Sequence, residues 1–269
     1  MNWNSLDLPL LLPALLAGCL ILLTHVPLGR IVLSRGIVFL DLAVAQIAGL
    51  GVMAAHQFGL ESGLGVQVAA VAAALLGGLL LGWTERRWPE TQEALIGSAF
   101  VVAASAGILL LAHDPHGGEE LQDLLAGQIL WVSKTQLQWA ALVTAFLGLL
   151  LLFPFSRKGL GFYVVFAAAV TLSVQLAGVY LVFASLILPA LAVRKRVGWR
   201  GMLPAWLLGA LGYGLGLAAS ALMDWPSGAV IVCAIAALSL ALGLARRQGE
   251  KSRGRMPATV ELTAQEPTH

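Results

Sequence analysis

Asp41 is the one acidic residue that falls inside a long apolar stretch, between Ile37 and Ala55. A carboxyl group at membrane depth costs a few kcal/mol or more, so it is rarely placed there without a partner or a pathway. Gln46 follows five positions on, which on a helix sets the two side chains about 140° apart. A hard carboxylate oxygen together with an amide oxygen could pass a divalent cation along a water-lined path. The plainer alternative puts Asp41 near an interface, paired with Arg35 or a backbone amide.

A second group of ligand-type residues runs from His113 through Asp114, Pro115, His116, Gly117, Gly118, Glu119 and Glu120 to Asp123. Imidazole and carboxylate are ligands of zinc, manganese and iron(II), which makes His113, His116, Glu119 and Glu120 candidate metal ligands beside Asp41 and Gln46. Their spacing matches no closed structural site, and a solvated acidic loop explains them equally well. Either way an acidic mouth concentrates cations. The stretch Leu121 to Trp131 is too short and too polar to span a bilayer and reads as an interfacial or re-entrant helix. His25 and His56, near the ends of apolar stretches, read as hydrogen-bonding residues rather than ligands. There is no His-Glu-x-x-His, nucleophile elbow or phosphate loop, so no catalytic residue, enzyme activity or cofactor is expected. A transport process driven by ATP would take its ATPase from another chain.

The elements that must position these residues follow from composition. Of 269 residues, 59% are hydrophobic and only 11% charged, too few charges to cover a water-facing surface. The apolar residues lie in long runs, which selects membrane helices over a barrel. Each helix satisfies its own backbone, as lipid requires. The expected fold is an all-α polytopic membrane helix bundle, with apolar spans at 8–28, 37–55, 63–83, 94–112, 135–155, 160–177, 179–193, 203–223 and 228–245. Only Gly178 separates the sixth and seventh, which read as two tightly turned helices or one helix plus a re-entrant piece.

Basic residues alternate between loops. Arg30 and Arg35, Arg86 and Arg87, Arg157 and Lys158, Arg194 to Arg200, and Arg246 to Arg255 lie at every second connection, and only Lys134 departs from this. Basic loops stay cytoplasmic, so about nine spans fit, with the N-terminus outside and the C-terminus inside; eight would require a re-entrant segment. Residues 1–245 are expected to form the transmembrane domain and 246–269 a disordered cytoplasmic tail, whose basic start suits anionic lipid. The N-terminus lacks a basic region before its first apolar run, so a cleaved signal peptide is not expected. Cys19 and Cys233 are too far apart in the pattern for a disulfide framework or zinc site. No feature points to nucleic acid.

The order of these features resembles the permease subunits of zinc, manganese and iron ATP-binding-cassette importers. Pro27-Leu28-Gly29-Arg30 and Arg35 to Ala48 look like that family's second-helix signature. Glu93 to Gly97 looks like the opening of its fourth helix, and Pro115-His116-Gly117 through Trp131 like the outside loop and short helix of one subgroup. Val174 to Val179, Leu186 to Ala190, and Pro226-Ser227-Gly228 complete the series. The resemblance implies a homodimer in the bacterial inner membrane, an ATP-binding-cassette ATPase and an extracytoplasmic metal-binding protein. Many members place Asp and His one turn apart in the second helix; here Asp41 is matched but Ala45 stands in the second place, with Gln46 beside it. Members also carry an ATPase-docking segment between their fifth and sixth helices, whereas here Phe155 leads through Ser156, Arg157, Lys158 and Gly159 straight into the next span. Arg157, Lys158, Arg194, Lys195 and Arg196 are then the expected ATPase contacts. The competing expectation is a repurposed member, a passive conduit or membrane partner protein no longer coupled to ATP. An intramembrane hydrolase lacks a nucleophile and base.

Overall fold

The computed structural model describes residues 8–60, 63–112, 114–115, 117–196 and 198–253. Among these no strand occurs, and the chain folds as helices α1 (Leu8–Arg35), α2 (Leu40–Gln57), α3 (Gly63–Arg87), α4 (Gln92–Leu111), α5 (Gly117–Ala126), α6 (Lys134–Leu150), α7 (Gly159–Ala177), α8 (Val179–Ala192), α9 (Trp199–Met223) and α10 (Ser227–Arg253). Each apolar stretch of the sequence coincides with one helix, and α5 is the extra, short one. Among the described residues six helical segments are long and apolar enough to cross a membrane: Leu8–Arg35, Gly63–Arg87, Pro89–Leu111, Gly159–Ala177, Gly201–Met223 and Ser227–Leu244. The apolar helix α8 is shorter, at 14 residues.

Several boundaries differ from the apolar stretches, each for a local reason. α1 runs past Leu28 to Arg35 although Pro27 lies inside it. Proline removes a single intrahelical hydrogen bond, while Leu28, Gly29 and Val32 beyond it remain buried. Gly36, at φ +72, ends α1, and α2 starts at Leu40 rather than Ile37 because residues 37–39 form a turn in which the Leu40 N–H donates to the Ile37 carbonyl. α10 continues to Arg253, past the expected boundary at residue 245; residues 254–269 of the expected tail lie outside the described residues.

α7 is the central post. In its apolar window 67% of residues are buried, against 22% in the corresponding windows of α4 and α10, so α7 is walled by protein while the other two present most of their surface outward. Around it, α2 packs on α3 and α4, α1 on α8 and α9, and α9 on α10. Small residues set the spacing: Gly78 and Gly82 of α3 lie against Tyr163 of α7, and Gly29 of α1 lies against the Leu186 carbonyl of α8. Such close approach is how helices gain packing energy where lipid supplies no hydrophobic drive between them.

Hydrogen bonds tie the connections into two ends. At one, the Arg30 guanidinium donates to the carbonyls of Gly198 and Arg196, both at 2.7 Å. Arg35 at the same end reaches the Arg157 carbonyl and Glu85, and Glu93 accepts from the Phe39 N–H. The basic connections around residues 30–36, 86–91, 157–158 and 194–198 therefore share one end of the bundle. At the other end Gln57 Nε2 donates to the Leu110 carbonyl, and α5 meets the junction of α7 and α8.

Candidate functional site

Asp41 lies in the first turn of α2 and is 0% exposed. Among the described residues neither of its carboxylate oxygens has a hydrogen-bond partner. The Arg35 pairing weighed from sequence is not formed. A buried polar group without a partner loses its hydration and gains nothing in return, and such a group in a native fold calls for an explanation such as an ion. Gln46 is also on the buried side of α2, at 5% exposure.

Arg35 is engaged elsewhere. Its guanidinium donates to the Arg157 carbonyl, lies 3.6 Å from Glu85 Oε1, and stands 4.2 Å over the Phe162 ring. The planar head allows donation at its edge and stacking on its face at once. It thereby joins the end of α1 to the ends of α3 and of the α6–α7 connection, and to the start of α7. Next to it, Glu93 of α4 holds the start of α2 by accepting the Phe39 N–H at 3.2 Å, and its Oε2 is buried without a partner among the described residues. Gln92 completes this end: its Nε2 donates to the Leu81 carbonyl at 2.8 Å and to Tyr163 Oη at 3.3 Å, while Oε1 accepts from Thr84 at 3.0 Å.

Two further polar residues are set by the packing of α1 and α4. His25 is a hydrogen-bonding residue as expected and is fully buried, with Nδ1 3.0 Å from the Ile21 carbonyl and Nε2 without a partner among the described residues. Glu93, in the stretch that resembles the opening of the family's fourth helix, supports the helix start that carries Asp41. Neither the burial of His25 nor the Phe39 partner of Glu93 could be read from neighbours in sequence, because both depend on how other helices pack.

At the opposite end, Leu121 to Trp131 is met by α5 over Gly117–Ala126 and a single 3-10 turn over Ile129–Trp131. Leu124 of α5 packs on Gly49 of α2, and Gly127 (φ +70) packs on Ala177 and Gly178 at the break between α7 and α8. Gly178 itself has φ +77, which separates α7 from α8 as two helices. Of the loop candidates, Glu119 and Asp114 are exposed; His113 and His116 lie outside the described residues, as does the side chain of Glu120. Among the described residues no group of three or more His, Cys, Asp or Glu side chains converges to hold a metal ion. Arg157, Lys158, Arg194, Lys195 and Arg196 are all exposed at the basic end.

The connection from α6 to α7 consists of a turn and the short 3-10 segment Pro154–Arg157. Ser156 Oγ donates to the Phe153 carbonyl at 2.7 Å and Arg157 Nε to the Leu151 carbonyl at 2.8 Å. No longer helix is inserted there, as the sequence indicated.

The model of a membrane transport family, the ABC 3 transport family, matches residues 7–160 and 153–245. The chain belongs to the ABC 3 transport family. The matched residues run through α1 to most of α10 and include Asp41, Glu93 and the α5 region. With its several apolar spans, this family member is a multi-pass membrane protein. It is 26% identical over 258 residues to an uncharacterised membrane protein of Synechocystis, covering 87% of this chain and 90% of that one. It is 28% identical over 187 residues to the manganese transport system membrane protein MntC of Halalkalibacterium halodurans, covering 69% and 62% respectively. It is 25% identical over 145 residues to a probable metal transport system membrane protein of Chlamydia trachomatis, and spans 50% of that protein's length. In fold it is similar to PsaBC from Streptococcus pneumoniae solved in complex with Fab, with a TM-score of 0.67, 20% identity, and coverage of 87% of this chain and 90% of that one.

Proposed function

We propose that this chain is the permease subunit through which a divalent transition-metal ion (zinc, manganese or iron) is imported across the bacterial inner membrane. The observation that carries the reading is Asp41: a fully buried carboxyl group whose two oxygens have no partner among the described residues. A cation would satisfy both oxygens, and Gln46 supplies an amide oxygen further along the same helix. The Asp114–Asp123 stretch with His113 and His116 would gather cations at the outer mouth. Relatives described as metal and manganese transport membrane proteins support transport over a repurposed, uncoupled role.

The bundle is read as nine crossings, α1 to α4 and α6 to α10, with α5 lining the outer entrance. The gathering of basic connections at one end supports this count, and basic loops place that end in the cytoplasm. The N-terminus is then outside and the C-terminus inside, with residues 1–245 forming the permease and 246–269 a tail. A homodimer would enclose the path, an extracytoplasmic metal-binding protein would deliver the ion, and a separate ATP-binding-cassette ATPase would drive it. The exposed Arg157 and Lys158, on the short α6–α7 connection, and Arg196 are the contacts proposed for that ATPase.

The test is a gentle-detergent pull-down of the tagged protein from its host with partners identified by mass spectrometry, joined to a metal-accumulation assay. A stoichiometric ATPase and metal accumulation that depends on the chain are expected. Reproducible absence of an ATPase would overturn the coupled importer and leave a passive conduit or partner protein.

A further inference from the structure

A groove of about 510 Å³ opens between the last turns of α8 and the second half of α10, at the basic end of the bundle. Its walls are Leu188 and Leu191 of α8 and Leu240 and Leu244 of α10, and its mouth carries Arg194 and Lys195. Ser239 also lines it, with a buried Oγ that has no partner among the described residues. Leu191, Leu240 and Leu244 are exposed, and so are Arg194 and Lys195.

We propose that this groove is a binding site for an anionic phospholipid of the leaflet at the basic end. Three observations select that occupant. The groove lies in the part of α10 counted as a membrane span, which ends at Leu244, so its apolar walls sit at acyl-chain depth and its mouth at head-group level. Two adjacent cationic side chains at the mouth complement a phosphodiester, and basic pockets between membrane helices on the cytoplasmic side are where such head groups bind. The Ser239 hydroxyl, which lines the same groove without a partner among the described residues, offers a donor to an acyl ester carbonyl, which accepts hydrogen bonds. An uncharged hydrocarbon contact would use the leucines but make no use of the positive charge at the mouth or of the Ser239 hydroxyl.

The assignment moves Arg194 and Lys195 from the expected ATPase contacts to lipid contacts. It rests on the membrane-spanning fold and not on ion transport, so it can fail while the transport reading holds, and the reverse.

The experiment is native mass spectrometry of the full chain released from nanodiscs that mix phosphatidylglycerol and phosphatidylcholine. The wild type is expected to retain phosphatidylglycerol preferentially. The double variant Arg194→Gln/Lys195→Gln is expected to lose that preference by about 10- to 30-fold, from the contribution of each basic residue to anionic-lipid attraction. Arg86→Gln/Arg87→Gln removes the same charge from a different loop and should keep the preference. Leu240→Trp, which fills the groove without changing charge, should reduce retention of both lipids. Undiminished preference in the Arg194/Lys195 variant would overturn the proposal, as would equal loss in the Arg86/Arg87 control. Efficient cross-linking between copies carrying Gly243→Cys would place a second copy of the chain in the groove and would overturn it too.

Discussion

Arg35 and Asp41 flank one turn, between the end of α1 and the start of α2, and the fold treats them in opposite ways. The Arg35 guanidinium meets a backbone carbonyl, a carboxylate and an aromatic face. Asp41 is buried and meets no polar partner among the described residues. A side chain whose capacity is filled by the fold is there to hold the fold. One buried with its capacity unfilled costs stability, and the cost is explained if something outside the chain fills it. Under the proposed function Asp41 serves the ion, and Arg35 serves the framework that presents it.

This contrast breaks if the two residues fail in the same assay. The largest effect is expected for Asp41→Ala, which should lower metal accumulation by about 100-fold, the upper end of what disturbing a metal ligand's surroundings costs. Its thermal unfolding midpoint in detergent should not fall, because no protein hydrogen bond is lost. At the other end of the bundle, Gly127→Ala would set a Cβ against the Ala177 carbonyl at a left-handed φ. That should destabilise by about 3 kcal/mol, read as a lower unfolding midpoint. Arg35→Ala should destabilise by about 2 kcal/mol, mostly from hydrogen bonds to a charged group, since its carboxylate partner is partly solvated. Arg35→Lys should recover little of this, because an ammonium cannot donate and stack as the planar head does. The smallest effect is expected for Gln92→Leu, about 1 kcal/mol, measured by chemical unfolding.

The helices were legible because membrane spans announce themselves in one dimension. The break at Gly178 was legible for a related reason: it is the single residue between two apolar runs, and its φ of +77 suits glycine. The short helix before Trp131 could be read from its length and polarity. The environment of the site could not. Glu85 and Arg157 lie far along the chain from Arg35, and Glu93 is equally remote from Phe39, so those pairings depend on how α3, α4 and α7 pack. For Asp41 the sequence allowed a pathway residue or a pairing with Arg35 or a backbone amide. Neither pairing is formed among the described residues, because Arg35 packs on Phe162 and Glu85 and no backbone amide reaches the carboxyl group.

The most direct test of that assignment is flux of manganese or zinc into proteoliposomes carrying the purified assembly, comparing Asp41 with the Asp41→Asn variant, which keeps size and removes charge. The account predicts that Asp41→Asn reconstitutes and unfolds like the wild type while its metal flux falls to background. Unchanged flux in Asp41→Asn would contradict it and remove Asp41 from the ion path.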